Sequence, residues 1–340
     1  MPQHTLIIAE AGVNHNGSIE LARRLVDAAV EARADIVKFQ TFVPELIVSA
    51  TAAKADYQAR NCGAGETQLD MLRRISLTYD EHRELMSYCA ARGIEYLSTA
   101  FDLPSVDFLH GLGCRMWKIP SGEITNYPYL VRIASYGRPV IMSTGMCSVA
   151  DIDAAIDTLT GAGLPRRLIT LLHCNTQYPT PMADVNLLAM QAMRERYGLP
   201  VGYSDHTPGI EVPVAAVALG APVIEKHFTL SRTMDGPDHR ASLEAAELAA
   251  MVSAIRNIEL ALGSPDKHVS DSERPNSAVA RKSIVAACDI RRGDIFSDTN
   301  LTARRPGDGL SPMLWPRLIG RPAPRDYAAG EQIDPGAISD

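Results

Sequence analysis

The chain has 340 residues, of which 46% are hydrophobic and 21% charged, and a net charge of −7. That length and balance describe a globular protein with one large domain or two unequal ones. They exclude a general nucleic-acid-binding surface, and no apolar run approaches the roughly 18 residues needed to cross a bilayer. Six cysteines stand apart with no Cys-x-x-Cys pair, which predicts reduced thiols in a cytoplasmic protein. The N-terminal MPQHTLIIAEAG lacks the basic region and long apolar core of a secretion signal.

The first expected strand, residues 5–9, ends in Glu10 and runs into a glycine-bearing loop, residues 11–17. Ser18 is placed to cap a helix reaching Arg33, with Leu21, Leu25, Ala28 and Ala29 on one face. A second strand, residues 35–39, carries Lys38 and is followed by Gln40 and Thr41. A long connection, residues 43–77, follows; connections of that length are usually functional or disordered. Thr78-x-x-Glu81 is a capping box for the next helix, and Gly93 is its stop. Strands are expected at 94–99, at 115–119 with Lys118 inside, at 139–143, at 168–172, at 199–202 and at 221–224. A helix opens near residue 105, Ser148-x-x-Asp151 caps another, and further helices span about 187–197, 212–219 and 243–262.

Eight strands alternating with helices over about 260 residues predict a (β/α)₈ TIM barrel, residues 1–263; an open doubly wound sheet is the alternative. Residues 264–280 are polar, contain two prolines and are expected to be a linker. Residues 281–340 form a second small domain. They hold 9 Lys or Arg against 8 Asp or Glu, with β-like runs at 283–287 and 318–320 between Gly- and Pro-bearing turns.

Nearly every expected strand ends in polar residues, and in a barrel these ends converge on one mouth. Lys38 and Lys118 sit inside apolar strands, where an ammonium is expensive unless paired. Together with the Ser and Thr hydroxyls they suit a phosphate or carboxylate; a salt bridge across the barrel is the alternative for either lysine alone. His206 and His227, 21 residues apart and each just beyond an apolar run, are able to share one divalent ion, or to serve as hydrogen-bonded strand-end residues. Cys174 reads as small packing rather than as a ligand.

The stretches IAEAGVNHNGS (8–18), VKFQTF (37–42), KIPSGE (118–123), STGM (143–146), LHCNTQYPTP (172–181), YSDHT (203–207), EKHFT (225–229), GPDH (236–239) and RRPGDG (304–309) resemble the sialic acid synthase (NeuB) family along nearly the whole chain. The resemblance implies a barrel followed by a small antifreeze-like (SAF) domain, and a homodimer in which that domain is swapped. It also implies condensation of phosphoenolpyruvate with N-acetylmannosamine, as its open-chain aldehyde, to N-acetylneuraminic acid and phosphate with C–O cleavage. A legionaminate synthase acting on 2,4-diacetamido-2,4,6-trideoxymannose is the near alternative.

Matched position by position, His206 and His227 become ligands of a divalent ion, Mn²⁺ or Mg²⁺ with Co²⁺ as a further candidate. Lys38, Lys118, Ser121, Ser143, Asn175, Thr176 and Ser204 fall at phosphoenolpyruvate positions. Gln40, Asn61, Tyr178, Asp238 and Arg305 fall around the sugar, and Glu10 around the reacting centre. Two other classes remain: a lysine Schiff-base aldolase through Lys38 or Lys118, and an ice-binding module in the C-terminal domain, which its many arginines disfavour.

Overall fold

The computed structural model describes residues 4–49, 52 and 67–338 and divides into two compact units, residues 4–263 and 264–338 of that set. In the first, eight strands pair in parallel in the order β3-β2-β1-β8-β7-β6-β5-β4, and β3 and β4 meet at the seam of a (β/α)₈ barrel. The strands are β1 Leu6–Gly12, β2 Ile36–Thr41, β3 Glu95–Ala100, β4 Trp117–Ile119, β5 Val140–Ser143, β6 Ile169–His173, β7 Val201–Asp205 and β8 Val223–Thr229. Strands β1, β2, β7 and β8 extend past the expected ends, so several polar residues lie on the ladder itself.

Local sequence explains the helices. Ser18 caps α1 (Ile19–Glu31) by accepting from the Leu21 N–H. The Thr78–Glu81 and Ser148–Asp151 capping boxes open Tyr79–Arg92 and Val149–Gly161 as expected. The helix expected from residue 105 instead begins at Leu103, because Asp102 is the cap and Pro104 fits the first turn. The connection at 43–77 is not structureless: it contains the helices Pro44–Ile47 and Gln68–Ile75.

The barrel interior is built in layers. The lower layer is apolar: Ile8, Ile36, Leu97, Ile141, Leu172 and Val223, with Met116 against them. β7 contributes Gly202 to this layer, where a Cβ would lie 2.3 Å from the Val223 carbonyl oxygen. Two residues further along each strand, the period-2 alternation puts Glu10, Lys38, Thr99, Lys118, Ser143, Cys174, Ser204 and Glu225 into the next layer. Outside the strands a second, larger apolar cluster joins sheet and helices, including Ala9, Val37, Phe39, Trp117, Tyr203 and Phe228.

The second unit has its own small core of Ile284, Ala286, Phe296, Leu301, Leu318, Tyr327 and neighbours. Its sheet pairs Ser283–Ala286 with Leu301–Arg304 in antiparallel fashion. Two expectations are corrected. Residues 318–320 are not a strand but the end of the helix Trp315–Leu318, and the supposed linker contains the helix Arg274–Ala280. Pro275 falls in that helix's first turn, where its missing N–H costs nothing. Among the described residues no helix is long and apolar enough to cross a membrane.

Candidate active site

The polar layer is the floor of a cavity of about 620 Å³ at the C-terminal end of the barrel strands. Lys38 Nζ lies 2.7 Å from Glu10 Oε2, 3.6 Å from Glu225 Oε2 and 3.1 Å from the Thr99 hydroxyl. Lys118 Nζ is 3.4 Å from Glu225 Oε1, and the Ser204 hydroxyl donates to that same oxygen at 3.0 Å. The two lysines are therefore not free cations: two carboxylates, each nearly fully buried, compensate them. The salt-bridge alternative is what the structure shows for each lysine.

The carboxylates divide the charge unequally. Burial pushes Glu10 up to about 7 against the attraction of Lys38. Burial also raises Glu225, but Lys118 and Lys38 outweigh it and hold its carboxyl well below the usual range. Lys118 is lowered by burial, while Glu10 and Glu225 lift Lys38 despite its burial. Glu225 is thus the fixed anion of the floor, and Glu10 is a group able to hold or release a proton near neutral pH. Among the described residues the Ser143 hydroxyl, buried beside them, has no hydrogen-bond partner.

Above the floor stand His206 and His227, with ring centroids 5.4 Å apart. His206 Nδ1 meets the Asn175 carbonyl at 2.5 Å, which leaves Nε2 facing the Tyr178 hydroxyl at 2.8 Å. His227 Nδ1 is buried without a hydrogen-bond partner, and Asp238 Oδ2 lies 4.0 Å from it. Burial lowers His206 to about 4 and His227 well below the ordinary imidazole range, so both are neutral at pH 7. His206 has Nδ1 held by a carbonyl and Nε2 directed at Tyr178, and neither ring is charged, so the two imidazoles offer neutral nitrogen donors of the kind a divalent ion takes. Among the described residues no set of three or more His, Cys, Asp or Glu side chains is grouped to hold a metal ion.

The cavity rim carries Gln40, Tyr178 and Asp238, with Gln40 Nε2 donating to Glu10 Oε1 at 3.2 Å. Gly12, at φ +53°, lets this corner close: a Cβ there would lie 3.2 Å from Glu10 Oε1 and 3.3 Å from Gln40 Nε2. One wall is apolar, made by Val13, Phe42, Ile47, Met71, Leu72, Ile75 and Phe101.

Of the residues expected here, Glu10, Lys38, Gln40, Lys118, Ser121, Ser143, Thr176, Tyr178, Ser204, His206, His227 and Asp238 line one cavity. Asn175 does not. Its side chain accepts from the Gln177 N–H at 2.7 Å, and its contribution is the carbonyl that orients His206. Arg305 belongs to the second unit, where its Nε donates to the Ala280 carbonyl at 3.0 Å. Asn61 lies outside the described residues. Cys174 is buried as packing predicts, yet it also lines the cavity. Thr99 and Glu225, which belong to the polar strand ends expected at the mouth, line it as well, and so does Glu123, for which no role is expected from the sequence.

Burial of neutral histidines sets an acid-stability expectation for the metal-free protein. His15 is lowered to about 3, His82, His206 and His239 to about 4, and His227 further, all chiefly by burial. Below about pH 6.5 the unfolded chain takes up protons that the folded chain refuses, so stability falls as pH falls towards 4. Glu10, at about 7, and Asp238, raised by burial to about 6, act in the opposite sense. The net is a loss of at most about 4 kcal/mol per pH unit. Urea midpoints in the presence of chelator should drop clearly between pH 6.5 and 5; a flat profile would show that these histidines are not held neutral.

Residues 25–267 match the NeuB family and residues 281–338 match the SAF domain. The chain is 49% identical to N,N'-diacetyllegionaminic acid synthase of Campylobacter jejuni, over 97% of this chain and 98% of that one. It is 47% identical to the protein of the same name from Legionella pneumophila, over 96% and 92%. Among solved structures, the N-acetylneuraminic acid synthetase of Leptospira borgpetersenii in complex with citrate aligns with TM-score 0.69 and 34% identity, covering 80% of this chain and 90% of that one.

Proposed function

Since the chain belongs to the NeuB family and is a synthase of nonulosonic acids, we propose that it condenses phosphoenolpyruvate with 2,4-diacetamido-2,4,6-trideoxymannose to give N,N'-diacetyllegionaminic acid and phosphate. The observation that carries the choice of sugar is the 49% identity, end to end, with a synthase of that name, against 34% with the Leptospira neuraminic acid synthetase. The N-acetylmannosamine reading favoured by motifs alone gives way to it. The apolar wall supports it as well: a 6-deoxy sugar with two acetamido groups presents methyl groups where N-acetylmannosamine presents hydroxyls.

Lys38 and Lys118 hold the carboxylate and phosphate of phosphoenolpyruvate, with hydroxyls from Ser121, Ser143, Thr176 and Ser204 as further donors. Glu225 keeps both ammonium groups in place. Gln40, Tyr178 and Asp238 orient the open-chain sugar so that its aldehyde carbon faces the enol carbon. A divalent ion such as Mn²⁺, Mg²⁺ or Co²⁺, held by His206 and His227, would supply Lewis-acid polarisation of the aldehyde. As the enol carbon bonds to the aldehyde carbon, Glu10 gives a proton to the aldehyde oxygen. Water then adds at the carbon bearing phosphate, a proton leaves, and the C–O bond to phosphate breaks. Use of phosphoenolpyruvate, a metabolite of the cell interior, supports a cytoplasmic reaction.

Assay with each sugar in turn decides the substrate. The diacetamido sugar should give a kcat/KM at least tenfold above that of N-acetylmannosamine; the reverse order overturns the choice. A lysine aldolase would form a borohydride-trappable adduct with pyruvate, and none is expected.

The partner is a second copy of the chain. Tyr127, Met146, Val149, Met182 and Leu188 are exposed apolar side chains on the segments that follow β4, β5 and β6, and are candidates for contact with that copy. Arg305→Ala should raise the sugar KM about tenfold while leaving metal binding unchanged. Mixing Arg305→Ala with His206→Ala should restore activity, because one site of the mixed dimer then has both native residues. Absence of any recovery would show that sites are not shared.

A further inference from the structure

Asp205 and Lys226 are charged, completely buried and unused by the chemistry above. They alternate along β7 and β8 with Ser204, His206, Glu225 and His227, and so face the opposite side of the sheet. In the ladder they are register partners, as Ser204 and Glu225 are on the inner face. Lys226 Nζ lies 2.5 Å from Asp205 Oδ2 and also donates to the Thr207 carbonyl. Asp205 in turn accepts from the Thr207 N–H at 3.1 Å and the Thr207 hydroxyl at 2.9 Å. One ammonium thus ties the residue before His227 to the residues on both sides of His206.

The far side of the same turn is held independently, by the Thr180 N–H donating to the His206 carbonyl at 2.9 Å. A buried ion pair is a poor source of stability compared with apolar groups of equal volume, so its value here lies in geometry. Its two strands are those that carry the two imidazoles, and nothing else polar bridges them on that face among the described hydrogen bonds.

We infer that the Asp205–Lys226 ion pair is a positioning clamp that fixes the distance between the His206 and His227 imidazoles and thereby sets the affinity of the ion they hold. The inference rests on the metal role proposed for these histidines. Groups behind a ligand shell that orient the ligands typically change metal affinity 10- to 100-fold when removed.

The test uses the full chain and Mn²⁺ alone. Lys226→Met by itself leaves a buried carboxylate uncompensated, so the measured protein is the double variant Asp205→Asn/Lys226→Met, which removes both charges and keeps an acceptor for Thr207. Free Mn²⁺ is followed by electron paramagnetic resonance, and phosphoenolpyruvate binding by calorimetry in chelator. The expected result is a Kd for Mn²⁺ weakened at least tenfold, with the phosphoenolpyruvate Kd within about twofold of the parent. Lys226→Gln, which retains a donor between the strands, should fall between the two. Unchanged Mn²⁺ affinity in the double variant overturns the clamp. So does parallel loss of Mn²⁺ and phosphoenolpyruvate binding, which reduces the pair to support of the fold. A parent protein that binds no Mn²⁺ overturns the metal role itself, and is distinguished from the first two results by that control.

Discussion

Replacing His227 with alanine is expected to lower kcat by about 10³-fold or more while leaving phosphoenolpyruvate binding nearly intact. The reason lies in what each group touches. Among the described residues His227 Nδ1 is buried without a hydrogen-bond partner, and its neutral ring lies 5.4 Å from that of His206, tilted at 55°. No fold-stabilising bond to Nδ1 is lost with the imidazole. On the proposed metal role, what is lost is one of two nitrogen donors for an ion whose stabilisation of developing charge would be worth several kcal/mol, and about 4 kcal/mol corresponds to 10³ in rate. The lysine floor is untouched, so the anion still binds. Steady-state kinetics with calorimetry in chelator reads both quantities. A variant keeping more than a tenth of its turnover, or a parent enzyme indifferent to chelation, would remove the ion from the mechanism.

The second large effect belongs to Glu225. Exchange for leucine should destabilise the barrel by about 3–5 kcal/mol, because it leaves Lys118 buried without a close counter-charge and strips Lys38 of its second one. The sequel is more telling than the loss. If the floor binds an anion, phosphoenolpyruvate at about a hundred times its Kd should restore roughly 2.7 kcal/mol. Urea unfolding with and without the ligand measures this. A variant equally unstable in both conditions would mean that the two lysines serve only to cross-link the strands.

The barrel and the membership of its mouth were legible from sequence because strand ends rich in polar residues recur with the period of βα units. The capping boxes at Thr78 and Ser148 are likewise local, each complete within four residues, and both form. What was missed depends on distance across the barrel. Lys118 and Glu225 are 107 residues apart, and no spacing rule brings them to 3.4 Å. A polar cluster at a strand end also belongs to two faces at once, because a strand sends alternate residues to opposite sides. That rule, applied to Ser98, Thr99, Ser204, Asp205, Glu225 and Lys226, separates the floor from its outer support. Asn175 misled for a different reason: its role is carried by a carbonyl, which every residue type possesses. Residues 318–320 read as β-like from Leu and Ile content, but Pro316 in the first turn starts a helix there instead.

The cavity's apolar wall differs in origin from its floor. Phe42, Ile47, Met71, Leu72 and Ile75 all follow β2 in one stretch of chain, while the charged groups and imidazoles come from strands spread around the barrel. Most of the apolar wall is therefore encoded apart from the groups proposed to handle phosphoenolpyruvate. A library confined to residues 42–48 and 68–75 would vary that wall while leaving the lysines, the imidazoles, Gln40, Tyr178 and Asp238 in place, and assay of such variants against several acceptor sugars would read how far one segment alone shifts the choice of sugar.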